Sequence, residues 1–321
     1  MQNRLIPIVI LTLLIVPSAC SEVRPARTMA VTFDDLPFVN LATQGDGARL
    51  QATRKLLHSL GERKIPAIGF VNEIKLYEEG ELIDARVEVL RAWLDADLSL
   101  GNHAYSHPDL HEVSLEQMKA DVMRGEQVTR PLLARYGLEL RFFRHPYLHT
   151  GRDLETKHAF ESFLTNNDYL IAPVSIDNSE WIFARAYFVA RRSGDEALAG
   201  RIGSDYVDYM LDMVEYYEGQ SIQLFNRNIA HVLLVHANEL NADWFAVLAD
   251  RLSDLGYEFV SLDDALQDPA YKSADTYTGR GGITWLHRWA ISSNRDPAMY
   301  RGEPTTPDYV RELTALPEHT Y

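Results

Sequence analysis

Short apolar runs alternate with longer amphipathic segments along most of this chain, from residue 27 to about residue 270. We predict strands over residues 29–33, 67–71, 98–100, 140–143, 231–235 and 257–260. Between them, hydrophobic periodicity predicts helices over residues 47–60, 81–94, 114–129, 206–217 and 243–255. Strands that alternate with helices pair in parallel, which restricts the fold to a (β/α) barrel or an open doubly wound sheet.

Composition narrows the classes of partner and of site. The chain has 321 residues, and its 31 basic and 46 acidic side chains give a net charge of −15. Such a chain offers no cationic surface to neutralise phosphates, so nucleic acid and anionic membrane surfaces are excluded as partners. Cys20 is the single cysteine, which excludes an intramolecular disulfide and a cysteine-ligated zinc site.

The N-terminal segment, residues 1–19, has the pattern of a secretory signal peptide. One charged residue precedes an apolar run over residues 5–16, and small residues follow it. This run is shorter than the ~20 residues that span a bilayer as a helix. A buried N-terminal strand or helix is the alternative, which Pro7 and Pro17 disfavour.

The segment V-P-S-A-C, which ends at Cys20, resembles a bacterial lipobox. That resemblance implies a lipoprotein whose first mature residue is a lipidated Cys20. The protein would then be exported to the cell envelope or periplasm and contact the membrane only through its lipid. Pro17 stands where an aliphatic residue is usual, so ordinary cleavage after Ala19, leaving a free thiol, is the alternative.

Two histidines four residues apart, His103 and His107, form the sharpest local pattern. This spacing puts both imidazoles on one side of a helical turn, within reach of a single ion. Pro108 biases His107 away from helical geometry, so a helical face continued to His111 is not expected. An isolated pair of this kind is more often solvated or capping than metal-ligating.

Adjacent carboxylates, Asp34 and Asp35, end the first predicted strand. They repel each other unless a cation or another partner compensates. In a parallel β/α fold, this end of the strands is also where active sites lie. One carboxylate with two histidines makes a three-ligand metal site, and the other carboxylate is then free to act as a base. An ordinary turn after the strand is the alternative.

Two further polar residues follow predicted strands. Arg144 can hold a carboxylate ionised, and His236 can act as a general acid. Taken singly, each is more often structural, as a salt-bridge residue or a satisfied polar group.

Together and in this order, the motifs resemble those of the polysaccharide deacetylase family (carbohydrate esterase family 4, the NodB-homology domain). That family shows T-F-D-D-G-P, H-[ST]-x-x-H-P, R-x-P-[FY], an acidic-tryptophan motif and L-x-H. This chain has T-F-D-D-L-P at 32–37, H-A-Y-S-H-P at 103–108, R-H-P-Y at 144–147, D-N-S-E-W at 177–181 and L-V-H at 234–236. The resemblance covers about residues 27–266. It implies an α/β fold, a deformed (β/α) barrel, and hydrolysis of N- or O-acetyl groups of glycans with a divalent metal.

The resemblance also implies a metal centre. Asp35, His103 and His107 would bind the divalent metal, zinc in the first place, with cobalt or manganese as alternatives. Asp34 would be the general base that deprotonates the metal-activated water, and Arg144 would orient Asp34.

The remaining implied roles concern the oxyanion and the leaving group. The backbone N–H of Tyr147 would help hold the oxyanion, and Tyr147 would line the substrate site. His236 would protonate the leaving amine or alkoxide, with Glu180 or Asp177 orienting it. Trp181 would pack beside the acetyl pocket.

Some positions depart from the family's pattern, among them Leu36, Ala104, Leu148, Glu180 and Ala237. None of them removes a ligand, base or acid, so hydrolysis is expected to survive. Leu36 and Leu148 add bulk beside the site, which predicts a narrowed cleft suited to a chain end or a small acylated molecule.

Three functions therefore compete. The first is an exported, metal-dependent deacetylase acting on an acetylated glycan. The second keeps the fold and metal but acts on a non-sugar amide or an acyl ester. The third is a catalytically silent, glycan-binding lipoprotein.

The predicted organisation is a signal peptide over 1–19, the deacetylase domain over 27–270 and an irregular C-terminal extension over 271–321. Within that extension Trp285 and Trp289 lie one helical turn apart. We expect an arm that wraps the domain, with a role at the substrate cleft as the alternative.

Overall fold

The protein, described here from a computed structural model over residues 27–314, is built on one parallel sheet with helices around it. Its strands are β1 (Arg27–Val39), β2 (Ile68–Val71), β3 (Tyr77–Glu78), β4 (Glu81–Leu82), β5 (Ser99–Asn102), β6 (Phe142–Phe143), β7 (Leu170–Ile171), β8 (His231–Asn238) and β9 (Tyr257–Phe259). The predicted signal peptide and Cys20 lie outside the described residues.

The helices lie between and after these strands. They are α1 (Asp46–Glu62), α2 (Asp84–Asp95), α3 (Leu115–Arg124), α4 (Thr129–Arg135), α5 (Leu154–Asn166), α6 (Glu180–Ser193), α7 (Glu196–Phe225), α8 (Glu239–Asp254), α9 (Leu262–Ala265), α10 (Trp285–Ser292) and α11 (Asp308–Thr314). Between residues 27 and 314, no helix is long and apolar enough to cross a membrane.

The sheet has the strand order β7-β6-β5-β2-β1-β8, and β9 pairs with the beginning of β1. Every pair in it is parallel, and the sheet forms a half-barrel, which confirms the predicted α/β class. Asp34 is in register with His236 of β8, and Asn102 of β5 with Phe143 of β6. Because parallel strands end at the same edge, the polar residues that follow β1, β5, β6 and β8 converge there.

The outer face of the sheet is closed by apolar packing. Phe33 of β1 meets Trp93 of α2 and Phe245 of α8, each edge-on, with ring centroids 5.5 and 5.3 Å apart. All three rings are fully buried. This packing fixes β1, and with it the position of the two carboxylates at its end.

The elements differ from the predicted ones at several points. The helix expected over 114–129 is two helices, α3 and α4, separated at Gly125. A side chain at Gly125 would come within 2.6 Å of the Ala104 backbone, so the chain passes too closely there for an ordinary helix surface. The helix expected over 81–94 begins only at Asp84.

The C-terminal extension also differs from expectation. It is not irregular throughout, because it contains α10 and α11 within the described residues. Trp285, Trp289 and Val310 are buried in the same hydrophobic cluster as the central strands. The expected arm therefore packs as part of the core. The division of the chain at residue 270 stays a prediction.

Candidate active site and metal centre

The two adjacent carboxylates, Asp34 and Asp35, lie within β1 where its regular pairing with β8 is interrupted, and they point to the same site. Adjacent side chains of an extended strand point to opposite faces, but Asp35 has a left-handed backbone, with φ of 71°. This reversal puts Asp34 Oδ2 3.7 Å from His103 Nε2 and Asp35 Oδ1 4.0 Å from His107 Nε2. Asp is among the residues that tolerate this conformation best.

Asp35, His103 and His107 form the expected three-ligand group. Each offers one ligand atom, and these atoms lie within 4.8 Å of one another. The His103 Nδ1–H donates to the Arg144 carbonyl at 2.9 Å, which leaves Nε2 for the site. Burial lowers the pKa of both histidines to about 4, so both are neutral near pH 7, as metal ligands must be. One oxygen and two nitrogens suit zinc and similar divalent ions, so these residues fit the implied metal.

Lys75 is a functional neighbour that the sequence did not indicate. Its Nζ lies 3.0 Å from Asp35 Oδ1 and also donates to the Asp35 carbonyl at 3.2 Å. Burial alone would raise the pKa of Asp35, but Lys75 and the nearby histidines outweigh it and hold that pKa below its usual value. Lys75 follows β2 in an ordinary N-E-I-K-L segment, which carries no motif.

Asp34 is buried, and its position suits a base. Its Oδ2 lies 3.7 Å from Arg144 Nη1, while its Oδ1 is buried with no hydrogen-bond partner in the described structure. Burial raises the pKa of Asp34, and the charge of Arg144 opposes that rise. Arg144 is itself held by Thr32, whose hydroxyl accepts from Nη2 at 2.9 Å.

Half-buried His236 pairs with the fully buried Glu180 near Asp34 and Asp35. His236 Nδ1 and Glu180 Oε2 are 2.7 Å apart. Asn238 and Asn241 both donate to the other oxygen, Glu180 Oε1. Burial favours neutral His236, but the bond to Glu180 and the nearby carboxylates Asp35 and Asp34 raise its pKa to about 9. His236 is therefore protonated at neutral pH.

This pairing separates the two carboxylates proposed as partners of His236. Glu180 contacts it, whereas the Asp177 side chain accepts from the backbone N–H of Asn178 at 2.9 Å. Burial raises the pKa of Asp177 to about 6. Trp181 is half-buried in the first turn of α6 and packs against the core. Its place beside an acetyl pocket stays a prediction.

Tyr147 lies at the exposed side of the site. Its backbone is left-handed, with φ of 55°, and its side chain is 56% exposed. Its ring meets the His107 ring edge-on, with centroids 4.5 Å apart. The loop that follows β6 therefore brings Tyr147 beside an expected metal ligand.

The predicted narrowing of the cleft by Leu36 and Leu148 is wrong. Both side chains are buried in the main hydrophobic cluster. Leu36 packs over Gly69, where even a methyl group would lie 2.5 Å from Leu36 Cδ2. These leucines fill the core, so they set no limit on the substrate.

The C-terminal extension supports the loop that contains Tyr147, and the contact of Arg288 with this loop acts as a brace. Arg288 of α10 is buried and donates to the Leu148 carbonyl at 3.1 Å and to the Thr150 hydroxyl. Asp275 accepts from Arg288 Nε at 2.8 Å and lies 2.6 Å from Lys157 Nζ. The extension thus contacts the loop that supports the site, and its Gly282 lies against the Tyr147 carbonyl.

Part of the chain matches a known protein family. Residues 21–160 match the family model described as polysaccharide deacetylase. Over these residues the chain is similar to the polysaccharide deacetylase family, and the match covers less than half of the chain. The match contains the segments with Asp34, Asp35, His103, His107, Arg144 and Tyr147, whereas Glu180 and His236 lie beyond it.

The similarity to curated relatives is partial. The chain is 26% identical over 153 residues to a peptidoglycan-N-acetylglucosamine deacetylase from Bacillus cereus. That alignment covers 48% of this chain and 46% of the relative. The chain thus spans about half the length of the curated relative that it matches.

Solved structures support the fold. A CE4 family pseudoenzyme from Bacillus anthracis has a TM-score of 0.50 at 13% identity, over 75% of this chain and 66% of that one. A mutant of this pseudoenzyme, described as having restored enzymatic activity, has a TM-score of 0.50 at 14% identity, over 75% and 68% of the two chains. The predicted deformed barrel of the polysaccharide deacetylase type is confirmed at the level of the fold.

Proposed function

We propose that this protein is an exported, metal-dependent hydrolase that removes acetyl groups from an N-acetylated glycan of the cell envelope, or from an O-acetylated one. The observation that carries the proposal is the convergence of five groups at one edge of the sheet. Asp34, Asp35, His103, His107 and His236 come from three strand ends and form a carboxylate base, a three-ligand group and a protonated imidazole.

The metal has a defined place in this proposal. Asp35, His103 and His107 would hold a divalent ion, which when bound would polarise the acetyl carbonyl and lower the pKa of a water molecule. Asp34 takes the proton of the attacking water on Oδ1, the buried oxygen that has no other partner. Arg144 stabilises the ionised form of Asp34 before that transfer.

The leaving group is protonated from the other side. His236 gives its proton to the departing amine or alkoxide, and Glu180 stabilises its charged form until then. The Tyr147 backbone N–H stabilises the oxyanion, a role that its place beside His107 supports. When the acyl bond breaks, the acyl carbon has gained the hydroxyl of the attacking water. The leaving nitrogen or oxygen has gained the proton of His236.

The test is acetate release from N-acetylglucosamine oligomers by the zinc-loaded protein. Asp34→Asn should lower kcat by 10²-fold or more, because general base catalysis contributes about 10²–10⁴-fold. A chelator should abolish acetate release. Asp97→Asn is the matched control, because Asp97 is exposed and precedes β5, at the opposite edge of the sheet. Acetate release that survives both the chelator and Asp34→Asn would overturn the proposal.

A second candidate is a non-catalytic, glycan-binding lipoprotein. The ion pair between Lys75 and Asp35 favours it, because an ammonium at that carboxylate competes with a metal. The Bacillus anthracis pseudoenzyme shares the fold. Zinc analysis separates the two candidates: protein that retains no divalent ion after saturation and desalting supports the non-catalytic one.

Hydrolysis of a non-sugar amide or an acyl ester rested on the two leucines, whose burial removes that support. A substrate panel that includes such compounds tests it directly. Export and a lipid on Cys20 remain part of the proposal. The lipobox-like sequence supports both, and the peptidoglycan deacetylase relative supports a place in the cell envelope.

A further inference from the structure

A second group of metal-ligating side chains lies beside the candidate active site. Asp109, His111 and His149 each offer one ligand atom, and these atoms lie within 4.8 Å of one another. Within residues 27–314, this group and the Asp35, His103 and His107 group are the two that meet this criterion. Neither the family motifs nor the proposed reaction uses Asp109, His111 or His149.

The side chains of this group are already oriented. Asp109 Oδ1 lies 2.7 Å from His149 Nδ1 and also accepts from the His111 backbone N–H at 2.7 Å. The His111 and His149 rings stack with centroids 3.9 Å apart and an angle of 8° between their planes. Both nitrogen donors are therefore held together against one carboxylate.

A second observation points to a ligand. His111 is only 9% exposed, and its Nε2 is buried without a hydrogen-bond partner in the described structure. The backbone of Gly151 lies beside the same ring. A metal-binding imidazole commonly uses one nitrogen for the ion and the other for a backbone carbonyl. A plain Asp109–His149 hydrogen bond leaves the buried Nε2 of His111 unexplained, and a buried nitrogen without a partner is destabilising.

We propose that Asp109, His111 and His149 form a second site for a divalent cation, of the zinc class that one carboxylate and two imidazoles select. Ligand atoms around tetrahedral zinc lie roughly 3.3 Å apart, so the stacked His111 and His149 rings must rotate to close the site around an ion. Arg152 brings a positive charge near His111. The Glu112 carboxylate, 2.5 Å from the Arg152 guanidinium, offsets that charge.

The position of the site gives it a structural role. Asp109 and His111 follow the His107 loop, and His149 follows Tyr147 in the loop after β6. The Tyr147 and His149 ring centroids are 5.9 Å apart. An ion here ties together two loops that carry candidate active-site residues, at the rim of the site. This inference does not depend on the reaction that the site catalyses.

The experiment counts zinc ions in the full chain. The protein is saturated with Zn²⁺, desalted and analysed for metal per chain by mass spectrometry. We expect two ions in the unchanged protein, one in His111→Asn, one in His149→Gln and one in Asp35→Asn. His58→Gln is the matched control and should retain two, because His58 lies exposed on α1 and outside both groups.

A second readout guards against variants that lose zinc by misfolding. In the Asp35→Asn background, added Zn²⁺ should raise the thermal midpoint, and adding His111→Asn should remove that rise while circular dichroism stays unchanged. One retained ion that is lost in Asp35→Asn and kept in His111→Asn and His149→Gln would overturn the second site. One retained ion with the reverse pattern would support it and count against the first site.

Discussion

The positive backbone angle φ of Asp35 determines the direction in which its carboxylate points. The left-handed conformation turns its carboxylate to the side on which Asp34 lies, so one short segment offers both a candidate ligand, Asp35, and a candidate base, Asp34. Asparagine tolerates this conformation nearly as well as aspartate, whereas alanine adds backbone strain of about 1 kcal/mol. Asp35→Asn is therefore the variant that tests ligation without disturbing the strand end.

The Lys75 ammonium is expected to weaken zinc binding at Asp35. Lys75→Met should tighten zinc binding by about tenfold, or about 1.4 kcal/mol, because an ammonium 3.0 Å from Asp35 Oδ1 repels the ion and competes for the carboxylate. Competition with a chromogenic chelator measures the affinity. Lys119→Met is a suitable control, because Lys119 forms a comparable pair with Glu116 on the surface of α3. Equal or weaker zinc binding in Lys75→Met would show that Lys75 supports the ligand instead.

Glu180 is expected to set the pH at which activity falls on the basic side, through its effect on the pKa of His236. Because Glu180 helps to raise the pKa of His236 to about 9, the acid form of His236 persists up to about that pH. In Glu180→Gln the basic limb of the pH–rate profile should move to lower pH, and kcat near pH 8 should fall about 100-fold. Glu196→Gln, in the exposed first turn of α7, should leave the profile in place. An unmoved basic limb would contradict the assigned acid.

Single residues also show where sequence reasoning reaches its limit. Asp34, His103 and His236 could be placed in one site because each lies at or just beyond the end of a strand, and such ends meet at one edge. Lys75 could not, because its contact with Asp35 depends on the path of a short turn after β2. Asn238 and Asn241 follow the L-V-H motif closely, and Asn238 caps α8, so a helix-start signal could have indicated the first of them.

At the scale of elements, the brace between α10 and the Tyr147 loop predicts a stability effect. Arg288→Met removes the donor to the buried Leu148 carbonyl and one of the two cations beside Asp275, the other being Lys157, which should lower the free energy of unfolding by about 1–3 kcal/mol. Urea denaturation measures the change. Arg311→Met, in the exposed pair with Asp308, should change it by less than about 0.5 kcal/mol. Similar values for the two variants would mean that the brace contributes little.

Elements with long apolar patterns were predictable, and short ones were not. The central strands β1 and β8 are buried along most of their length, so their continuous apolar runs indicate them clearly. β6 and β7 contain two residues each, too few for any periodicity to appear. α10 was visible only as two tryptophans one turn apart, because it lies in a segment rich in Gly and Ser.

The whole molecule should lose stability in mild acid. Burial lowers the pKa of His231 to about 3 and of His287 to about 4, below the value of about 6.5 in an unfolded chain. The unfolded state therefore binds protons first as the pH falls below about 6.5. Between pH 7 and pH 5 each histidine should remove on the order of 2 kcal/mol from the free energy of unfolding.

Denaturation with urea at both pH values measures this loss, and His287→Gln should reduce it. His287 lies on α10, away from the candidate metal ligands, where its Nε2 is 3.2 Å from the Tyr216 hydroxyl. A pH 5 stability equal to that at pH 7, in both proteins, would contradict the prediction.

The brace also imposes an order on biosynthesis. A chain leaves the ribosome from its N-terminus. The Leu148 carbonyl therefore has no bond from Arg288 until that residue, 140 positions later, has been synthesised. Asp34, Asp35, His103 and His107 are all made before that loop can be secured. A nascent or prematurely stopped chain thus carries every expected ligand of the first metal site on an unfinished scaffold. Completion of the C-terminal segment is then the event that secures the loop after β6 beside these residues.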